Sequence, residues 1–403
     1  MVRKLKNYDY ILLITPVFLA AFGVIMVYSA SMVSAVVEGL ESTFYLKKQI
    51  QWFVIAMGAY IFFLAFPYQY FKRLMKIIIL GCIILLLMVL FFGETVHNAT
   101  RAVKIAGYSL QPAEFVKLGL IIYLAAIYSK KQAYIQDFAK GVLPPLMITA
   151  VIISLIIMQP DLGTSAIVFV IACSIIFSSG VRFKHLAGLF VVCLGFIAVL
   201  IPRMITGERI SRFVGAYQPF THPDSTGYHL IQSYVAIGNG GLGGEGLGQS
   251  VQKLGYLWGA HTDFIMAIVA EELGVFGVVL VLGMLLLIIL RGIFIGRKCK
   301  DSFGSFMAIG ISTMVAIQAF VNLGAISGVL PITGVPLPFL SYGGSSLLAL
   351  MIAMGILNNI AKSVKKEEAV QTVATPPTGN SYNRTTAPSA PTQSYVRKNR
   401  WQR

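Results

Sequence analysis

The chain has 403 residues, 57% of them hydrophobic and only 12% charged, with a formal net charge of +16. A mean hydropathy of +0.77 excludes an ordinary globular domain. The positive charge is scattered over short loops and both termini, so it reads as a topology signal and an attraction to anionic lipid, not as a nucleic-acid surface.

Apolar runs long enough to span about 30 Å of hydrocarbon recur along the whole chain. Ten are expected, at about 10–30, 49–66, 77–92, 113–128, 142–158, 163–180, 185–202, 264–290, 305–326 and 345–361. The fold class is therefore all-α, a polytopic integral membrane protein with ten transmembrane helices over residues 1–362. The first run is too polar at its exit, and too well followed by further spans, to be a cleaved signal peptide. No period of 20–50 residues repeats. Residues 363–403, rich in Thr, Pro, Ser and Asn, are expected to form a disordered tail.

Lysine and arginine placement sets the orientation. With the N-terminus inside, the inner side receives Arg3, Lys4 and Lys6, Lys72, Arg73 and Lys76, Lys130, Lys131 and Lys140, Arg182 and Lys184, Arg291, Arg297, Lys298 and Lys300, and Lys362, Lys365 and Lys366. The outer side receives Lys47, Lys48, Arg101, Lys104, Arg203, Arg209, Arg212 and Lys253, half of them in one long loop. Both termini are thus expected in the cytoplasm. One large extracellular loop, 203–263, joins helices 7 and 8. Cys82, Cys173 and Cys193 fall within spans and Cys299 in a cytoplasmic loop, which leaves no extracellular disulfide.

The polar material collects at the expected outer face. At 98–120, NATRAVKIAGYSLQPAEFVKLGL places Pro112 in the first turn of span 4, with Glu114 and Lys117 on one helix face. These two either form one intramembrane salt bridge or, with Arg101 and Lys104 above, line a cationic pocket for phosphate. At 159–163, QPDLG makes a turn in which Asp161 helps to cap span 6. At 261–263, His-Thr-Asp leads into span 8. Asp263 either caps that helix or, beside the glycines and aromatics of Gly255, Tyr256, Trp258 and Gly259, accepts a proton from a sugar hydroxyl. Glu271 and Glu272 lie some 12–13 Å deeper at ~1.5 Å per residue and cannot both join Asp263 in one site; they read as architectural. At 341–346, SYGGSS opens span 10 with exposed N–H groups and the hydroxyls of Ser341, Ser345 and Ser346, either a plain turn or an anion site. There is no Walker sequence, no GxSxG and no His/Cys metal spacing.

Taken in order, QPAEFVKL at 111–118, QPDLGTS at 159–165, GGLGGEGLGQSVQKLGYL at 240–257, HTDFIMAIVAEELG at 261–274 and the run from Pro331 through SYGGSS closely resemble the SEDS family (shape, elongation, division and sporulation) over roughly residues 8–362. GLGQSVQK is similar to the division branch and its sporulation relative more than to the elongation branch. The resemblance implies a bacterial peptidoglycan glycosyltransferase that polymerises lipid II on the outer face of the cytoplasmic membrane, at the division septum, by inverting transfer that releases undecaprenyl pyrophosphate. It implies Asp263 as catalytic base. It also implies Arg101, Glu114, Lys117, His261, Thr262, Ser341, Ser345 and Ser346 around the substrate, and a class B penicillin-binding protein and other division proteins as partners. A divalent cation, Mg or Mn, could bridge the pyrophosphate, but no ligand set is named by the sequence. One departure matters: where relatives often read Pro-Glu-Ala before the HTDF motif, this chain has Trp258-Gly259-Ala260, so a second outer carboxylate is missing. The alternatives are a lipid II flippase, or a membrane scaffold recruiting the transpeptidase.

Overall fold

The computed structural model describes residues 8–96, 99–105, 108–182, 184, 187–188 and 207–374. Among these, eight helices are long and apolar enough to cross a membrane, and one slightly shorter apolar helix accompanies them. They are α1 (Tyr10–Val37), α2 (Phe44–Ala65), α3 (Gln69–Phe92), α4 (Pro112–Lys130), α5 (Leu143–Met158), α6 (Leu162–Ser178), α9 (Ile265–Lys298), α10 (Ser302–Ile326) and α11 (Gly344–Ala374). A turn of π-helix, Phe138–Val142, extends α5 at its start. The span expected at 185–202 lies almost wholly outside the described residues.

Three features depart from the hydropathy reading. The segment between α3 and α4 is an antiparallel ribbon of β1 (Glu94–Val96), β2 (Ala99–Ile105) and β3 (Tyr108–Leu110), so the chain is not purely helical. Its register pairs Glu94 with Ala102 and Val103 with Leu110. The loop expected at 203–263 holds two helices, α7 (Gly207–Tyr217) and α8 (Tyr228–Gly240). Helices also outrun their apolar cores: α1 continues to Val37 and α11 beyond 362 to Ala374. Hydropathy marks where a helix is greasy, whereas backbone hydrogen bonds and caps decide where it stops.

Local signals explain several helix starts. Asp9 accepts from the Leu12 N–H, and Asp301 from those of Phe303 and Gly304. Pro112 occupies the first turn of α4, where its missing N–H costs nothing. Helices α4, α10 and α11 are buried over most of their length, while α2, α3, α5 and α9 turn most of their apolar residues outward. A bundle in lipid looks this way, because its periphery needs no polar coat.

The chain beginning, the starts of α3 and α10 and the later part of α11 meet at one end of the bundle. There Arg291 bonds Asp9 at 2.6 Å, and Asn358 both accepts from the Asp9 N–H and donates to its carbonyl. Tyr68 donates to Asp301 (3.0 Å), and Lys362 and Lys365 reach Tyr8. The opposite end gathers the starts of α4, α6, α9 and α11, and it holds the cavity described below. The described residues form part of two compact units, Met1–Lys366 and Glu367–Arg403, the second contributing only the last residues of α11.

Helix α9 is not the continuous span that its hydropathy predicts. Gly274 has φ 62 and ψ −157 within it, a conformation closed to residues with a Cβ. The break frees backbone groups at membrane depth, and the glycine-rich run after α8 takes them up. Glu245 and Gly246 donate their N–H groups to the carbonyls of Glu271 and Glu272 (2.9 and 3.0 Å), and the Val275 N–H donates to Gly241 (3.1 Å). The segment GGLGGEG is thus a backbone plug for a broken helix. A Cβ at Gly274 would lie 2.5 Å from the Gly244 nitrogen and the Leu242 carbonyl oxygen. Gly274→Ala is expected to cost about 1–3 kcal/mol of stability, read as earlier thermal unfolding in detergent; an unchanged melting point would refute the strained plug.

The two glutamates before the break are the architectural pair that the spacing suggests. Glu271 accepts from the Ser250 hydroxyl and from the N–H groups of Val251 and Gln252. Glu272 pairs with Lys253 at 2.7 Å, and Ser29 of α1 donates to both of its oxygens (2.6 and 2.8 Å). Lys253 is therefore no outer-loop topology charge. It is 2% exposed and belongs to the core.

Candidate active site

A cavity of about 640 Å³ opens at the end of the bundle opposite Asp9 and Asn358. Four helices point their N-termini at it. Gln111, Ala113 and Glu114 come from the start of α4, Asp161 and Thr164 from α6, Asp263 and Phe264 from α9, and Gly344, Ser345 and Ser346 from α11. Each such terminus carries exposed N–H groups and the positive end of a helix dipole. Their convergence makes the cavity attractive to anions before any side chain is counted.

Interlocking hydrogen bonds hold the four termini. The Gln111 N–H donates to Ser345 Oγ at 3.0 Å, joining α4 to α11. Asn322 of α10 donates to the carbonyls of Asp263 (2.7 Å) and Val335 (2.9 Å), which clamps the 261–264 loop to the 331–343 loop. The Tyr342 N–H adds a bond to the His261 carbonyl (2.9 Å). Gly344 lies so close to the Trp52 indole that a Cβ there would come within 2.1 Å of it. Asn322 carried no signal in the sequence, because a lone Asn in an apolar helix resembles any other polar interruption.

Asp263 is not the cap of α9. The N-cap residue is Phe264, and no side chain caps that helix. The Thr262 hydroxyl donates to Asp263 Oδ1 at 2.8 Å, and both residues line the cavity. Gly259, at φ 74, packs beneath them, and a Cβ there would lie 2.9 Å from Asp263 Oδ1. The missing second carboxylate thus falls at a position whose backbone here suits glycine and whose neighbour would be the remaining acid.

Across the cavity Lys117 donates to Glu114 at 2.8 Å, with both side chains buried and both facing the lumen. The salt bridge that the spacing allows is formed, and its two residues line the cavity. Asp161 likewise does both jobs. It caps α6 through the Thr164 N–H (3.1 Å) and hydroxyl (2.8 Å), and it lines the cavity. Lys48, over the Phe44 ring at 4.5 Å, and Arg212 of α7 also line it.

Two expected substrate contacts are placed elsewhere. Ser341 Oγ accepts from the Leu337 N–H at 2.8 Å and closes its own turn, so its hydroxyl braces the 331–343 loop instead of lining the cavity. His261 packs between Tyr45 (ring centroids 4.6 Å, tilted) and Tyr342 (5.7 Å, edge-on), behind the lining, where burial pushes its pKa down against the pull of Glu38 and Asp263. Arg101 belongs to β2, but its side chain, like that of Lys104, lies outside the described residues. His229 of α8 is a lining residue that sequence reasoning missed; burial lowers its pKa, and Asp263 opposes that shift. Among the described residues no group of three or more His, Cys, Asp or Glu side chains is arranged to hold a metal ion.

These features define a multi-pass helical membrane protein with an acid–cation cavity ringed by helix N-termini at one end of the bundle. The family model described as "Cell cycle protein", FtsW/RodA/SpoVE, matches residues 10–366, and the chain belongs to that family. It is 46% identical over 377 residues to the "Probable peptidoglycan glycosyltransferase FtsW" of Bacillus subtilis, covering 91% of this chain and 93% of that one. The "Stage V sporulation protein E" of the same organism is 39% identical over 365 residues, covering 90% and 99%. Among solved structures, one described as "Structural coordination of polymerization and crosslinking by a peptidoglycan synthase complex" superposes with a TM-score of 0.71 at 25% identity, covering 89% of this chain and 98% of that one. The rod shape determining protein RodA of Thermus thermophilus gives 0.65 at 24% identity, covering 88% and 97%, a likeness of fold.

Proposed function

We propose that this protein is a peptidoglycan glycosyltransferase that polymerises lipid II, with Asp263 as its general base. The observation that carries the reading is an uncapped carboxylate, Asp263, facing the same cavity as a buried lysine and four helix N-termini. The 4-hydroxyl of one lipid-linked disaccharide attacks the anomeric carbon of the growing chain, and the carbon–oxygen bond to pyrophosphate breaks with inversion. The hydroxyl proton passes to Asp263, and the electron pair leaves with undecaprenyl pyrophosphate. Negative charge builds on that leaving group, where Lys117, Ser345, Ser346 and the N–H groups opening α11 meet it. Lipid tails that stay in the bilayer fix both reacting groups at one height, which supplies orientation.

The charge bias of the loops supports a cavity facing the outside of the cytoplasmic membrane, with both termini inside. The similarity to a division protein supports work at the septum. A penicillin-binding transpeptidase is the partner that a peptidoglycan synthase complex of like fold suggests.

The broken helix α9 is the one feature that favours transport, since transporters bind substrate on discontinuous helices. Its break, however, is filled by the chain's own backbone at Gly241–Gly246, and none of these residues lines the cavity. Purified protein given labelled lipid II is expected to yield glycan ladders. Movement of lipid II across liposomes without ladders, with or without a partner, would instead support the flippase.

A further inference from the structure

Helix α7 is amphipathic, but its apolar face points away from the protein. Ser211 and Arg212 line the cavity, and Ala216 is buried. A Cβ on Gly215 would come 2.3 Å from the Thr226 carbonyl oxygen, so this side of the helix is pressed against the 218–227 turn. The other side carries Ile210, Phe213 and Tyr217, whose i, i+3, i+7 spacing puts them on one stripe. All three are about half exposed (49%, 55% and 59%), and Phe220 in the next turn is more so. A helix on a water-facing surface turns such a stripe inward. Four large apolar side chains turned outward together call for an apolar neighbour.

The place of the stripe says which neighbour. The Tyr217 hydroxyl donates to the Val329 carbonyl (3.3 Å), and that of Tyr234 in α8 donates to the Ser327 carbonyl (3.2 Å). Ser327 is the residue that ends α10, so both tyrosines sit where a span leaves the bundle. Phe220 lies beside the Tyr234 ring (centroids 6.5 Å), and Val329 is itself exposed. Tyrosines with an apolar body and a hydrogen-bonded hydroxyl collect where hydrocarbon meets headgroups. In the sequence, only four residues separate α7 from the end of the apolar run at 185–202, a tether of about 18 Å at full stretch. Four side chains on one short helix and its turn also fall short of the roughly 800 Å² per partner that a stable protein interface buries. Lipid has no such minimum.

We infer that α7 and the turn after it are an interfacial anchor. Ile210, Phe213, Tyr217 and Phe220 enter the hydrocarbon edge of one leaflet, and the cavity residues Ser211 and Arg212, on the other side of the same helix, are thereby held at headgroup height. The inference does not depend on the reaction proposed for the cavity. To test it, full-length Phe213→Trp and Phe220→Trp proteins are placed one copy per lipid nanodisc, and the emission added over the wild type is read. An interfacial helix buries its apolar face about 5–10 Å into the headgroup and acyl boundary. Lipids brominated near the start of their acyl chains should therefore at least halve the added emission, while iodide in the water should leave it nearly unchanged. Either variant suffices if the other melts early. Strong quenching by iodide with none from the brominated lipid would put the stripe in water and overturn the inference. Emission shielded from both quenchers, in single-copy discs or only when two copies share one, would make the stripe a protein contact and overturn it as well.

Discussion

Lys253→Met is expected to cost about 3–5 kcal/mol of stability, the usual penalty for stripping one partner from a buried ion pair. Lys253 lies 2.7 Å from Glu272, with side-chain exposures of 2% and 0%. Removing the ammonium would leave a carboxylate at membrane depth with only the Ser29 hydroxyl, which already bonds both of its oxygens. The effect should reach beyond one contact, because the same stretch of chain supplies Ser250, Val251 and Gln252 to Glu271 and lies between the plug and the Asp263 loop. Thermal unfolding in detergent reads the loss. The double variant Lys253→Met with Glu272→Leu should regain much of it, since an apolar pair can replace a buried ionic one at little cost. A single variant that melts like the wild type would show that the pair is dispensable.

Asp263→Asn should cut the rate of polymerisation by roughly 10²–10⁴-fold, the range that general base catalysis supplies. The substitution is close to isosteric, and an amide oxygen can still accept from the Thr262 hydroxyl that now bonds Oδ1. What disappears is the capacity to take the proton of the attacking hydroxyl. The loss should therefore fall on kcat, with lipid II affinity nearly intact, because the groups proposed to hold the pyrophosphate lie on α4 and α11 and not on this loop. A variant whose affinity fell while its kcat held would make Asp263 a substrate-binding residue.

Much of this molecule could be read from its residues. Most spans announced themselves by length and hydropathy, and Pro112 and Asp161 marked where two helices begin, whereas the Asp301 cap of α10 went unread. Asp263, Lys117, Glu114, Ser345 and Ser346 came from distant segments to one cavity because helix starts alternate between the two ends of a bundle. What stayed hidden depends on contacts between segments. Lys253 reads as a loop charge until Glu272 and Ser29 are seen beside it. Gly274 looks like one more glycine in an apolar helix, since its φ leaves no trace in composition. His229 sits in an unremarkable amphipathic stretch, and only the folding of 207–240 over the cavity gives it a place in the lining. Ser341 and Ser345 are four residues apart in one motif, yet one hydroxyl closes a turn while the other accepts from Gln111. Spacing alone could not divide them.

The most direct test is a gel of glycan chains made from labelled lipid II by purified wild-type and Asp263→Asn protein, compared at equal lipid II occupancy. The geometry predicts ladders from the wild type and at most a trace, a hundredth or less, from the variant, although both bind substrate. Ladders of equal intensity from the two proteins would mean that the acid at the head of α9 does not take the proton.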